Sequence, residues 1–186
     1  MTITPERKYV ALLIDEMKVK EGLVYNKTSG EIVGFTDIGD INQQLLRLEQ
    51  ESDHPPVAKH ILVLMVRGLT FKLEFPYAHF GTRSITGDLI HPIVWEAVRR
   101  LEASELKVTC VTADGASNNR KLFRMHHDKK DPETFTYKAR KPFSNDNHWL
   151  FFIADPPHLI KTIRNCWSHS GVNGTRRMQV SNIELI

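Results

Sequence analysis

Four short, nearly uninterrupted runs of β-compatible residues constrain this chain most: Tyr9 to Ile14, Ile61 to Val66, Lys107 to Ala113 and Trp149 to Ala154. Apolar runs of this length without alternation are how strands buried on both faces read. They are too short to cross a bilayer as a helix, and the opening Met-Thr-Ile-Thr-Pro-Glu-Arg-Lys lacks the apolar core of a signal peptide. Three of the four are followed at once by an aspartate: Ile14-Asp15, Ala113-Asp114 and Ala154-Asp155.

The segments between the runs set the architecture. Gly22 to Tyr25 and Glu31 to Phe35 flank Asn26-Lys27-Thr28-Ser29-Gly30, which predicts a hairpin. Ile41, Leu45, Leu46 and Leu48 recur at helical spacing behind a capping Asp40, predicting a helix over residues 40–51. Gly68 to Phe75 reads as a further strand. Ile90, Ile93, Val94, Ala97, Val98 and Leu101 form an apolar stripe, predicting a helix over 88–104 with Pro92 in its first turn. A helix is predicted over 118–126, and another opens at Pro156-Pro157 and runs to Trp167. Residues 127–146 are polar, basic and interrupted by Pro132 and Pro142, so they read as a loop or excursion. Strands first, then strand and helix in alternation, predict an α/β fold. Its sheet is mixed: an antiparallel meander extended by parallel strands through helical crossovers.

In a chain of 186 residues, 41% hydrophobic and 25% charged residues exclude a wholly disordered protein. Two cysteines, Cys110 and Cys166, build neither a disulfide framework nor a Cys-rich zinc site, which makes a reducing compartment the default. The net charge of +3 says little by itself. Its distribution says more. Arg120, Lys121, Arg124, Lys129, Lys130, Lys138, Arg140 and Lys141 face only Asp128, Asp131 and Glu133, with Phe123, Phe135, Tyr137 and Phe143 interleaved. Such a stretch either tracks a phosphate backbone or is a solvated basic loop.

Parallel strands in one sheet bring their carboxyl ends to the same edge. Three carboxylates gathered there repel one another unless a cation neutralises them, and hard oxygen donors suit Mg²⁺ or Mn²⁺. Two such ions can activate a nucleophile and stabilise the leaving oxygen at a phosphodiester. Each aspartate also has a structural reading: Asp155 before Pro156-Pro157 is a helix N-cap, and Asp114-Gly115 is a turn. Asp15 has no such excuse. Glu16 would point to the opposite face of an extended chain and could join Asp15 only if the strand had ended.

Other signals are weaker. His126 and His127 are adjacent and poorly placed to share a metal. Cys166-x-x-His169 is half a zinc site. His158, Lys161 and Arg164 follow at i+3 on one helix face, to touch phosphate or be solvated. Trp95, Trp149 and Trp167 read as core. Neither a Gly-rich nucleotide loop nor a Gly-x-Ser-x-Gly elbow occurs, which argues against a sugar-phosphate or nucleotide enzyme.

Three segments resemble one family. Leu13-Ile14-Asp15-Glu16-Met17 with Gly22-Leu23-Val24-Tyr25, then Val111 to Asn119, then Ala154-Asp155-Pro156-Pro157-His158-Leu159-Ile160-Lys161-Thr162-Ile163-Arg164-Asn165 are similar to the P-element-type DNA transposases, including the THAP-domain transposases. The resemblance covers about residues 8–167. It implies an RNase H-like fold, metal-dependent cut-and-paste chemistry with Mg²⁺ or Mn²⁺, and Asp15 and Asp114 as the first two acidic residues of a DDE/D triad. Asp155 is a further metal-ligand candidate. DNA, as transposon ends and target, is the implied partner, with a homo-oligomer as the implied assembly and the nucleus as the location. In the family the closing Glu lies beyond a GTP-binding insertion. Residues 168–186 would be the start of that insertion or a disordered tail, Glu184 has no assignable place, and GTP enters only with the insertion. On this reading residues 1–167 are the amino-terminal part of the catalytic domain, lacking its last helix, and inactive alone. The alternative is an inactive, domesticated remnant that binds DNA or protein.

Overall fold

In a computed structural model, the structure describes residues 8–37, 55–126, 137–143 and 148–170. The predicted helix over 40–51, Lys129, Lys130, His127 and Glu184 lie outside the described residues. Six strands form one sheet. In chain order these are β1 (Tyr9–Lys18), β4 (His60–Gly68), β5 (Glu74–Thr82), β6 (Lys107–Ala113), β7 (Lys138–Arg140) and β8 (Trp149–Ala154). Their order across the sheet is β5-β4-β1-β6-β8-β7. Strands β1, β6 and β8 run parallel, while β4, β5 and β7 join antiparallel. β2 (Val24–Asn26) and β3 (Glu31–Val33) make the predicted hairpin as a separate two-stranded sheet. Asn26 holds its turn by accepting the Thr28 and Ser29 backbone N–H groups on its side chain.

Alternation along β1 sorts the two faces. Val10, Leu12 and Ile14 are at most 3% exposed and join Leu62, Leu64, Val66, Val111 and Phe152 in one core. Helix α1 (Gly87–Ala103) closes that core with the predicted stripe of Ile90, Ile93, Val94, Ala97, Val98 and Leu101. Pro92 lies inside the helix, past the first turn predicted for it. Helix α2 (Ser117–Arg124) packs against α1 so closely that a Cβ on Gly87 would meet the Leu122 backbone nitrogen at 2.9 Å. The opposite sheet face carries Tyr9, Met17 and Ile153 at 42–51% exposure, and helix α3 (Pro156–Ser168) has no buried residue.

Three expectations need correction. The strand expected from Gly68 to Phe75 is a turn followed by β5, beginning at Glu74: Gly68 N–H donates to Leu73 O at 2.8 Å. β5 is an edge strand in which Pro76 is tolerated at a register shift, so it carries no apolar run to read. Residues 138–140, expected as loop, form β7 on the free edge of β8. Trp167, expected in the core, is 71% exposed.

The α1–α2 contact contains a half-buried imidazole pair. The Trp95 indole N–H is shared between His91 Nε2 (3.1 Å) and His126 Nε2 (2.9 Å), with the two imidazoles stacked at 4.9 Å. His126 Nδ1 donates to the Leu122 carbonyl at 2.9 Å, so its Nε2 carries the lone pair and the ring is neutral. Burial pushes both pKa values below the usual 6.5, and for His126 the neighbouring His91 adds to the effect. The unfolded chain therefore binds protons below about pH 6.5 that the folded state resists. Stability is expected to hold above about pH 7, fall as pH drops below 6.5, and level off once the folded pair is protonated. Urea midpoints from pH 7.5 to 5.5 check this: the fall should shrink in His126→Gln, and an equal fall in both proteins would refute it.

Candidate active site

Pairing brings the three aspartates into one row. Ile14 lies opposite Ala113 in the β1–β6 ladder, and Ala113 lies opposite Ala154 in the β6–β8 ladder. Asp15, Asp114 and Asp155 follow those three positions. Neighbouring strands are about 4.8 Å apart, so the residues just before the aspartates, Ile14, Ala113 and Ala154, stand one strand spacing from one another in turn. The Asp155 backbone N–H donates to Ala113 O at 2.9 Å and continues the row past the end of β8. By alternation all three fall on the face opposite the α1 core.

Their environments differ. β1 does not end at Asp15: its antiparallel ladder with β4 continues to Lys18, after the parallel ladder with β6 has stopped at Ile14. Asp15 is exposed, and its Oδ1 accepts the Glu16 N–H at 2.9 Å. Because the strand continues, Glu16 faces the α1 side, where Thr82 Oγ1 donates to its Oε1 at 3.2 Å. Asp114 Oδ1 accepts two N–H groups, from Ala116 backbone at 2.9 Å and from Asn119 Nδ2 at 2.7 Å. The turn reading and the site reading of Asp114 thus coexist: the turn holds the carboxylate.

Asp155 occupies the N-cap position of α3, yet its carboxylate makes no capping bond. Pro156 and Pro157 have no N–H to offer. The carboxylate instead accepts from His158 Nδ1 one turn on. That hydrogen bond holds the His158 pKa above 6.5, followed by the charges of Asp155, Asp114 and Asp15. His158, read from sequence as touching phosphate or solvated, is thus hydrogen-bonded to Asp155, and all three carboxylates favour its charged form. Sequence reading missed this pairing, although Asp-Pro-Pro-His places acid and imidazole at i,i+3 on the first turn.

The basic residues separate by face. Lys138 Nζ lies 4.5 Å from the Trp149 ring centre and Arg140 Cζ 5.1 Å from it. Lys138 and Arg140 share one face of β7, and Trp149 lies on the aspartate side of β8. Lys141 has the opposite parity. Its side chain is 3% exposed and bonded to the Glu102 carboxylate of α1, so it is a buried structural ion pair and not a surface DNA contact as expected. Arg120 Nη1 donates to Gly115 O at 2.8 Å, and Lys121 pairs with Asp88, holding that carboxyl below its ordinary range. Lys161 and Arg164 are exposed on α3, the latter bonded to Asn165 Oδ1 at 3.1 Å.

Asp15 and Asp114 offer hard oxygen donors from adjacent strands, which fit a divalent cation of the Mg²⁺ or Mn²⁺ type. Among the described residues no group of three or more His, Cys, Asp or Glu side chains is arranged to hold a metal. The donor set present is a carboxylate pair, with Asp155 engaged by His158.

A sheet with β1 between antiparallel β4 and parallel β6, α1 on one face, and acids following the parallel strands defines an RNase H-like domain of the transposase type. The family model for the TNP-like RNase H N-terminal domain matches residues 2–127, and the chain belongs to that family. It is 26% identical over 162 residues to the DNA transposase THAP9 of Homo sapiens, spanning 87% of this chain and 17% of that protein. Its fold is similar to a chain of the Drosophila P element transposase strand transfer complex, with TM-score 0.62 and 22% identity, covering 93% of this chain and 33% of that one. No described helix is long and apolar enough to cross a membrane.

Proposed function

We propose that the chain supplies the first two acidic residues, Asp15 and Asp114, of a metal-dependent DNA transposase centre that cuts and joins phosphodiester bonds. The observation that carries this reading is the row made by the β1–β6–β8 register. A bound Mg²⁺ or Mn²⁺ would supply Lewis acidity at the scissile phosphate and at the attacking and leaving oxygens. Within the chain, Asn119 and the Ala116 N–H orient the Asp114 carboxylate, and His158 hydrogen-bonds the Asp155 carboxylate. Lys138 and Arg140, on the aspartate face, provide phosphate-binding cations beside Trp149, with Lys161 and Arg164 on α3 as further phosphate contacts. On this reading the substrate is DNA and the protein works in the nucleus.

Manganese titration tests it. Paramagnetic broadening of amide resonances is expected to centre on residues 15 and 114. Asp15→Ala and Asp114→Ala should each abolish it, and broadening left untouched by both substitutions would refute the reading. For DNA, Lys138→Glu with Arg140→Glu should weaken duplex binding and flatten its salt dependence.

A further inference from the structure

The recess on the α1 side of the row has its own chemistry. β1 outruns β6 by four residues, so Glu16 and Lys18 have β4 on one side and no strand on the other. The chain leaving β6 turns at Asp114 and starts α2, which closes the gap without filling it. The cavity has a volume of about 250 Å³ and is lined by Glu16, His60, Leu62, Ile90, Asp114 and Asn118, among others. This is below the roughly 300 Å³ at which drug-sized ligand pockets begin, and suits one ring system rather than a whole nucleotide.

Its lining pairs an apolar floor with convergent polar groups. Leu62 and Ile90 are each 1% exposed and offer flat aliphatic contact. His60 Nδ1 is buried with no hydrogen-bond partner, a vacancy that folded proteins seldom leave unexplained. The Glu16 carboxylate only accepts hydrogen bonds, Lys18 only donates, and the Asn118 amide does both. Glu or Asp accepting from an exocyclic amine, and Asn pairing with an amine and an adjacent ring nitrogen, are how side chains read cytosine and adenine edges. Bases turned out of a strand are held between apolar or aromatic walls and read on their polar edges.

We propose that this recess receives one amino-bearing nucleobase, adenine, cytosine or guanine, turned out of the DNA strand whose phosphodiester lies at Asp114. The inference rests on the transposase reading for the origin of the base, but not for the chemistry of the recess. Thymine is disfavoured because it carries no exocyclic amine to donate to the Glu16 carboxylate.

Two measurements on the wild-type chain test it. Deoxyadenosine, deoxycytidine and thymidine are titrated with amide shifts followed by NMR. The first two should shift Asn118, His60 and Glu16 and bind on the order of tenfold tighter than thymidine. Glu16→Gln should bring the three within about threefold, and Asn118→Ala, checked for an unchanged melting temperature, should weaken the amino-bearing pair. Equal binding of all three, or shifts confined to other surfaces, overturns the proposal. The second measurement uses a DNA duplex with a single unpaired 2-aminopurine, whose fluorescence should rise several-fold on binding wild type and not Asn118→Ala. Duplex binding with no fluorescence rise and no nucleoside preference rejects the recess while leaving the transposase reading intact. Nucleoside preference without any duplex binding keeps the recess and rejects the DNA reading.

Discussion

Replacing Lys141 with methionine is expected to destabilise the domain by about 3–5 kcal/mol, the cost of leaving a partner charge buried and unpaired. The partner is Glu102, whose side chain is 10% exposed against 3% for Lys141. Methionine fills the space of the lysine stem but provides no donor, so the carboxylate stays desolvated on α1. The double variant Lys141→Met, Glu102→Leu should recover most of the loss, since a well-packed apolar pair often replaces a buried ion pair at little cost. Urea unfolding read by circular dichroism measures both. A loss under about 1 kcal/mol in the single variant would mean that the pair behaves like a solvent-exposed salt bridge and that the burial is wrong. The same variant separates fold from DNA contact: because Lys141 faces α1, the salt dependence of duplex binding should not change while the variant remains folded.

The second large effect concerns Asn119, which is 6% exposed and donates to Asp114 Oδ1 at 2.7 Å. Asn119→Leu keeps the volume and removes the donor. A hydrogen bond to a charged acceptor contributes about 1.5–3 kcal/mol, and the lower end applies because Asp114 can recruit water. A stability loss of about 1.5–2 kcal/mol is expected. The functional consequence is larger than that figure suggests. With one of its two orienting donors gone, the Asp114 carboxylate swings, and manganese broadening at residue 114 should weaken while the amide pattern around Leu12 is unchanged. A variant with full manganese response would show that the Ala116 N–H alone holds the carboxylate.

Much of the domain is legible in the sequence because its strands are of the kind that declare themselves locally. Tyr9 to Ile14, Ile61 to Val66, Lys107 to Ala113 and Trp149 to Ala154 all appear as strands, and the apolar stripe from Ile90 to Leu101 appears as α1. Burial alternates along these strands, against the expectation of two buried faces, but the residues on the less buried face are mostly apolar too, so each reads as a run. β5 escapes notice because an edge strand need not be uniformly apolar and can hold Pro76. β7 escapes because three residues, Lys138 to Arg140, pair only when β8 offers a free edge. Trp167 misleads because helix periodicity marks a face without saying whether anything covers it. Counting charge in residues 118–141 treats Lys138 and Lys141 alike, yet strand alternation sends one toward Trp149 and the other to Glu102.

Local sequence alone determined that three parallel-type strands would each be followed by an acid, because a hydrophobic run and the residue after it are neighbours in the chain. Tertiary pairing decided the rest: that Asp15 sits mid-strand with Glu16 turned to the other face, that Asp155 bonds His158 instead of capping its helix, and that β1 outruns β6 and leaves a recess. Those outcomes depend on register between segments dozens of residues apart. Register is set by which ladders can be satisfied together, a condition that no short stretch of the chain contains.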